Sequence, residues 1–120
     1  MSKWVDKCET VLTDIGIPFA FERFESADEH HPQLPDTYIV YFLVDDSGLT
    51  WSEGKETSHE PRIQISLFYR DKSEFLTIPD QIETAFMTAK FLHVGSGRIP
   101  YQTDTRHYGW RCDFRFYERR

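Results

Sequence analysis

Several places in this chain hold residue types that perform chemistry elsewhere. His30 and His31 stand beside Asp28 and Glu29, and imidazole with carboxylate is a common metal-ligand set. Adjacent side chains diverge on most backbones, however, and no second cluster at ligand spacing accompanies them. That segment reads as a solvated loop. Ser58-His59-Glu60 contains the residue types of a hydrolytic triad. Triad members come from distant parts of a chain and are brought together by the fold, so three consecutive residues do not reach that geometry. There is no Gly-x-Ser-x-Gly elbow either. Cys112 with His107 is weak as a nucleophile and base, because Cys112 falls on the inward side of a strand pattern. Gly95-Ser96-Gly97-Arg98 resembles part of a phosphate-binding loop. It lacks the Lys-Ser/Thr ending of one loop class and the third glycine of the other, so a tight turn or a bulge explains it better. The sequence thus predicts no catalytic, cofactor-binding or metal-ligating residues.

The elements that would position such groups follow from periodicity. Ser2 is placed to cap a helix carrying Trp4, Cys8, Val11, Leu12 and Ile15 as one stripe, with Gly16 as its stop before Pro18. A short aromatic strand follows over 19–24, then a loop over 25–36 with two prolines. Residues 37–45 form a strand that is apolar on both faces. Tyr38, Val40, Phe42 and Val44 line one face, and Ile39, Tyr41 and Leu43 the other. Such a strand must be covered twice, which exceeds what a monomer of this size readily supplies and points to assembly. Residues 46–60 are strongly polar, with Leu49 and Trp51 isolated among them. They read as a long flexible loop, or as a hairpin that continues the flanking strands.

Pro61 to Tyr69 alternates as a strand with one wet face. A second helix starts at Thr77 with Pro79 in its first turn and a stripe of Ile78, Ile82, Ala85, Phe86 and Ala89. Residues 91–101 read as a strand broken at Gly95-Ser96-Gly97. Residues 102–107 read as a polar turn. The last strand places Tyr108, Trp110, Cys112, Phe114 and Phe116 inward, with Arg111, Asp113 and Arg115 outward. The expectation is an α+β fold of two layers. Two helices pack on one face of an antiparallel or mixed sheet of four to five strands.

A chain of 120 residues fits a single domain over 1–120. Its net charge of −6 disfavours non-specific binding to nucleic acid, which requires a basic surface. The two cysteines, Cys8 and Cys112, read as small core residues, and a disulfide is disfavoured without a secretory context. No run is long enough to span a membrane, and no signal peptide is visible. The chain reads as soluble and intracellular. Trp51 in its polar surroundings is either an interface anchor or a residue folded back on its own core. Arg115, Arg119 and Arg120 make a basic tip on an acidic protein, either solvated or docked on an acidic partner.

Taken in order, these features resemble the tail terminator family of long-tailed bacteriophages and prophages, also called tail completion or head–tail joining proteins. The resemblance rests on an N-terminal helix ending in Ile15-Gly16-Ile17-Pro18 and on Pro35-Asp36-Thr37-Tyr38-Ile39-Val40-Tyr41-Phe42. The latter is similar to a Pro-aromatic-Ile-Val-Tyr strand of that family. Arg62-Ile63-Gln64-Ile65-Ser66-Leu67-Phe68 is similar to an Ile-Gln-Ile-Asp-Leu-Tyr strand, with Ser66 where an acidic residue is common. A second helix and a closing aromatic hairpin complete the order, which spans nearly the whole chain by character and not by an invariant signature.

What the resemblance implies is a non-catalytic structural protein of virion assembly. It forms a ring, commonly sixfold, that caps the tail tube and meets a head completion or connector protein. It works in the host bacterial cytoplasm during assembly and then in the virion at the tail–head junction. Its partners are copies of itself, a tail tube protein and the head completion protein. DNA passes through without specific binding, and no membrane is involved; the acidic charge of this chain, placed around such a lumen, would let DNA pass by repulsion. Tyr41, Leu43, Leu49, Trp51, Arg115 and Arg119 are the expected interface residues. The alternatives are another small neck or minor tail component, or a small α+β binding or regulatory module unrelated to phage.

Overall fold

The structure is a computed structural model that describes residues 3–23, 34–52 and 55–119; at Lys3, over 46–59 and at 118–119 the description is of the backbone alone. It is a two-layer α+β arrangement of a mixed sheet and two helices. Helix α1 spans Lys3–Ile15. It ends where Gly16 takes φ 85° and returns its N–H to the Leu12 carbonyl at 3.2 Å, a left-handed stop that glycine adopts without strain. Strand β1 spans only Phe19–Phe21 and runs parallel to β2, Thr37–Ser52. Strand β3, Lys55–Tyr69, pairs antiparallel with β2 on one side and with β5, His107–Arg115, on the other. A 3₁₀ turn over Lys72–Leu76 and helix α2, Ile78–Thr88, lead to the edge strand β4, Leu92–Gln102. The order across the sheet is β1-β2-β3-β5-β4, and the two-residue β6, Glu118–Arg119, pairs with β3 beyond the end of β5.

Register explains the core. Ile39 pairs with Leu67 and Tyr41 with Ile65, while Leu67 pairs with Trp110, Ile65 with Cys112 and Ile63 with Phe114. These side chains share one face, and Trp4, Cys8, Val11 and Leu12 of α1 close over it together with Ile82 and Phe86 of α2. Phe86 stacks on Phe114 at 4.9 Å between ring centroids and meets Phe91 edge-on at 5.1 Å. Aromatic pairs at such separations add to their area burial.

Strand β3 holds the centre of the sheet, and the doubly apolar β2 lies next to a three-residue edge strand. Of the two readings of 46–60, the hairpin that continues the flanking strands is the one observed: β2 runs to Ser52, and β3 begins at Lys55, ahead of Pro61. The Pro61 carbonyl accepts from Phe116 N–H at 3.1 Å. Carbonyl and amide of an extended residue point to the same side, so the missing donor faces the end of β5 and leaves the β2 ladder intact. Finally, Gly95-Ser96-Gly97 does not break β4. Gly95 pairs with Asp113, Ser96 with Cys112 and Gly97 with Arg111, with one irregularity between His93 and Gly95.

Candidate functional site

The most distinctive feature of this fold is a two-stranded arm. Pairing of β2 with β3 continues from Asp45/Arg62 through Ser52/Lys55. The flanking partners stop earlier, β1 at Tyr41 and β5 at Arg62. Among the described residues only β6 follows the arm, opposite Ser58 and His59. Eight residues of β2 beyond Val44 reach about 26 Å at strand rise, consistent with a molecule measuring 51 × 32 × 25 Å. Register shifts fall between Leu43 and Asp45, between Gly48 and Thr50, and between Thr50 and Trp51. Such bulges twist and re-aim a ribbon. The outer edge of β2 past Tyr41 has no strand partner among the described residues. An unpaired edge of this kind is a template for strand addition.

The expected interface residues separate. Tyr41 is a correction: it is 1% exposed, packed among Trp4, Phe19 and Phe21, and its hydroxyl donates to a Glu9 carboxylate oxygen. Its apolar neighbourhood and this hydrogen bond make it a core residue. Burial holds the Tyr41 hydroxyl well above the usual phenol range, with Glu9 adding to the effect. Leu43 is exposed at the base of the arm beside Val44. Arg115 is half-exposed and its Nη1 lies 3.3 Å from Glu60 Oε1. The side chains of Leu49, Trp51 and Arg119 lie outside the described residues, although their backbones fall in β2 and β6. The same holds for Ser58 and His59 in β3, and residues 28–31 with His30 and His31 also fall outside.

The apolar surplus of β2 is also smaller than its sequence implies. Tyr38 and Val40, on the face away from the helices, are buried within the chain itself, Tyr38 stacking on Phe68 at 5.0 Å and meeting His107 edge-on at 5.1 Å. Exposed apolar surface remains at Leu43 and Val44, and at Leu92, Val94 and Tyr101 on β4. These two groups lie at opposite edges of the sheet.

The same outward face carries a polar knot. Arg62 donates from Nη2 at 2.8 Å and from Nε at 3.2 Å to Asp113 Oδ2, while Gln64 donates to Oδ1 at 3.2 Å. No local spacing announces it, because Arg62 and Asp113 meet only through the β3–β5 register. Both cysteines are free and buried. Desolvation and the neighbouring Glu9 carboxylate push the Cys8 thiol far up. On the helix-facing side, Cys112 Sγ lies 4.0 Å from Glu83 Oε1, and His93 Nε2 lies 3.6 Å from the same oxygen. Sequence reasoning missed this cluster. Its signal was the strand alternation that puts His93 and Cys112 on the helix side of neighbouring strands. Cys112 and His107, considered together from sequence, are not brought together: His107 sits by Tyr38, with Nε2 2.9 Å from the Pro35 carbonyl.

No family model matches this chain, and no curated protein matches it. No described helix is long and apolar enough to cross a membrane.

Proposed function

We propose that this chain is a structural subunit of a long-tailed phage or prophage virion, a tail terminator that closes into a ring on the end of the tail tube and joins tail to head. The observation that carries the reading is the arm, a ribbon that outruns its own sheet and offers an unpaired edge. A ring requires heterologous contacts, in which one surface of a subunit meets a different surface of the next. The arm with Leu43 and Val44 supplies one surface, and β4 with Leu92, Val94 and Tyr101 supplies another at the far edge. A two-stranded ribbon is marginal alone in water, so docking stabilises it. The resemblance in element order and in the two strand motifs supports the same reading.

In this reading the protein performs no catalysis. It assembles in the bacterial cytoplasm and ends in the virion, contacting the tail tube protein on one side and a head completion protein on the other. The net charge of −6 suits a bore through which DNA slides. The test is to mix the purified chain with tail tubes polymerised from the tube protein of the same genome and image them by electron microscopy. A disc of added density at one tube end is expected. Bare tube ends at saturating protein would refute the terminator role and leave another neck component or an unrelated module.

A further inference from the structure

We propose that Glu83, His93 and Cys112 form a binding site for a divalent transition-metal ion of the zinc class. The three residues come from α2, β4 and β5, and one donor atom of each lies within 4.8 Å of the other two. A tetrahedral zinc ion has bonds of about 2.3 Å to sulfur and about 2.0–2.1 Å to nitrogen or oxygen, which sets ligand-to-ligand separations of about 3.3–3.6 Å. The His93–Glu83 separation of 3.6 Å and the Cys112–Glu83 separation of 4.0 Å each lie a few tenths of an ångström above their values, the lower for nitrogen with oxygen and the upper for sulfur. Side-chain rotation of Glu83 and His93 closes the rest. Both are about one-third exposed, at 28% and 35%, so an ion has a way in from solvent.

Donor chemistry selects the ion. A thiolate and an imidazole favour zinc, cobalt or copper over magnesium or calcium, which prefer all-oxygen sets. Three protein ligands leave a fourth position for water. The Phe114 ring, 5.8 Å from His93, gives the site an apolar wall, and such a wall limits water access and lowers the local dielectric. The plainer alternative is a His93–Glu83 ion pair beside a packing cysteine. It requires no thiol at that pair, yet Cys112 Sγ points toward the carboxylate oxygen that His93 approaches.

Binding exchanges one ion for one proton. The Cys112 S–H bond breaks, the sulfur–metal bond forms, and the proton leaves to solvent. A ligating cysteine binds as thiolate, so the ion competes with that proton. A bound ion would tie α2 to the β4–β5 hairpin and raise the melting temperature.

The experiment is titration of the full chain with cobalt(II), followed by displacement with zinc. One equivalent of cobalt should give a thiolate-to-cobalt charge-transfer band and intense tetrahedral ligand-field bands, both lost on adding zinc. Cys112→Ala should abolish the charge-transfer band. His93→Ala and Glu83→Gln, at half-exposed positions that leave folding intact, should weaken affinity by more than the roughly 10–100-fold typical of outer-shell changes. Zinc should raise the melting temperature of the unaltered chain and not that of His93→Ala. The proposal fails if no charge-transfer band forms, or if His93→Ala and Glu83→Gln bind like the parent. It also fails if binding is lost in a His30→Gln/His31→Gln chain, which would assign the ion to that pair.

Discussion

Arg62 and Asp113 lie diagonally across neighbouring strands with 2.8 Å between Nη2 and Oδ2, on the side of the sheet opposite the helices. The Asp113 side chain is 5% exposed, whereas Arg62 keeps 36% of its surface in water. Arg111 Nη1 also lies 3.5 Å from Asp113 Oδ1, so removing the carboxylate strands two guanidinium groups and the Gln64 amide. Asp113→Ala is expected to destabilise by about 2 kcal/mol, less than for a fully buried pair because solvent screens the arginines. Urea unfolding with an unchanged m-value checks this. A loss below about 0.5 kcal/mol would place the knot among surface pairs of little consequence.

Helix α2 ends in a Schellman arrangement. Phe91 N–H donates to the Phe86 carbonyl at 3.0 Å and Lys90 N–H to that of Met87 at 3.1 Å, with Lys90 at φ 75°. Glycine favours that position and lysine is strained there. Lys90 is exposed, so its side chain gives up little. Lys90→Gly is expected to stabilise by about 0.5–1 kcal/mol, read as a higher melting temperature.

Gly109 is needed for a different reason. A Cβ there would lie 2.6 Å from Ile99 Cβ on the adjacent β4. Gly109→Ala is expected to destabilise by about 1–3 kcal/mol through overpacking. Ile99→Gly, which removes the Cβ itself, should recover part of the loss in the double variant. Failure of that rescue would separate the effect from the Ile99 contact.

Tyr41→Phe keeps the ring among Trp4, Phe19 and Phe21 and removes only the hydroxyl bonded to Glu9. A loss of about 1 kcal/mol is expected near neutral pH. The folded-state pKa is raised. The hydroxyl's contribution is therefore full below the unfolded value of about 10 and fades as pH rises from there toward the folded value. The gap in urea midpoint between parent and variant should narrow from pH 8 to pH 11. Association should be unaffected, because Tyr41 is inside the subunit.

Much of the fold was legible because its signals are local. The stripe through Trp4, Cys8, Val11, Leu12 and Ile15 marks α1, and alternation from Tyr108 to Phe116 puts Trp110, Cys112 and Phe114 of β5 in the core; on the face read as wet, Arg115 is exposed but Asp113 is buried. What stayed hidden depends on register. Nothing near Glu83 or His93 announces Cys112 as a neighbour, and the burial of Tyr38 on the second face of β2 depends on Phe68 and His107 from other strands. Pro61 masked the length of β3, since a proline in a run normally marks an end or an edge. The interface set was the weakest reading. Alternation places Tyr41 and Leu43 on one face, and only the packing of α1 shows that Tyr41 is covered while Leu43 is not.

Self-association through the arm is the claim on which the rest stands, and sedimentation velocity over a wide concentration range, with and without tail tubes, tests it most directly. The parent chain should shift with concentration toward a closed species of about six copies, the heterologous contact closing on itself. A variant with residues 48–59 replaced by Asn-Gly, a tight-hairpin pair, should fold and remain a single subunit. A parent chain that sediments as one subunit at every concentration, tubes present or absent, would contradict the account.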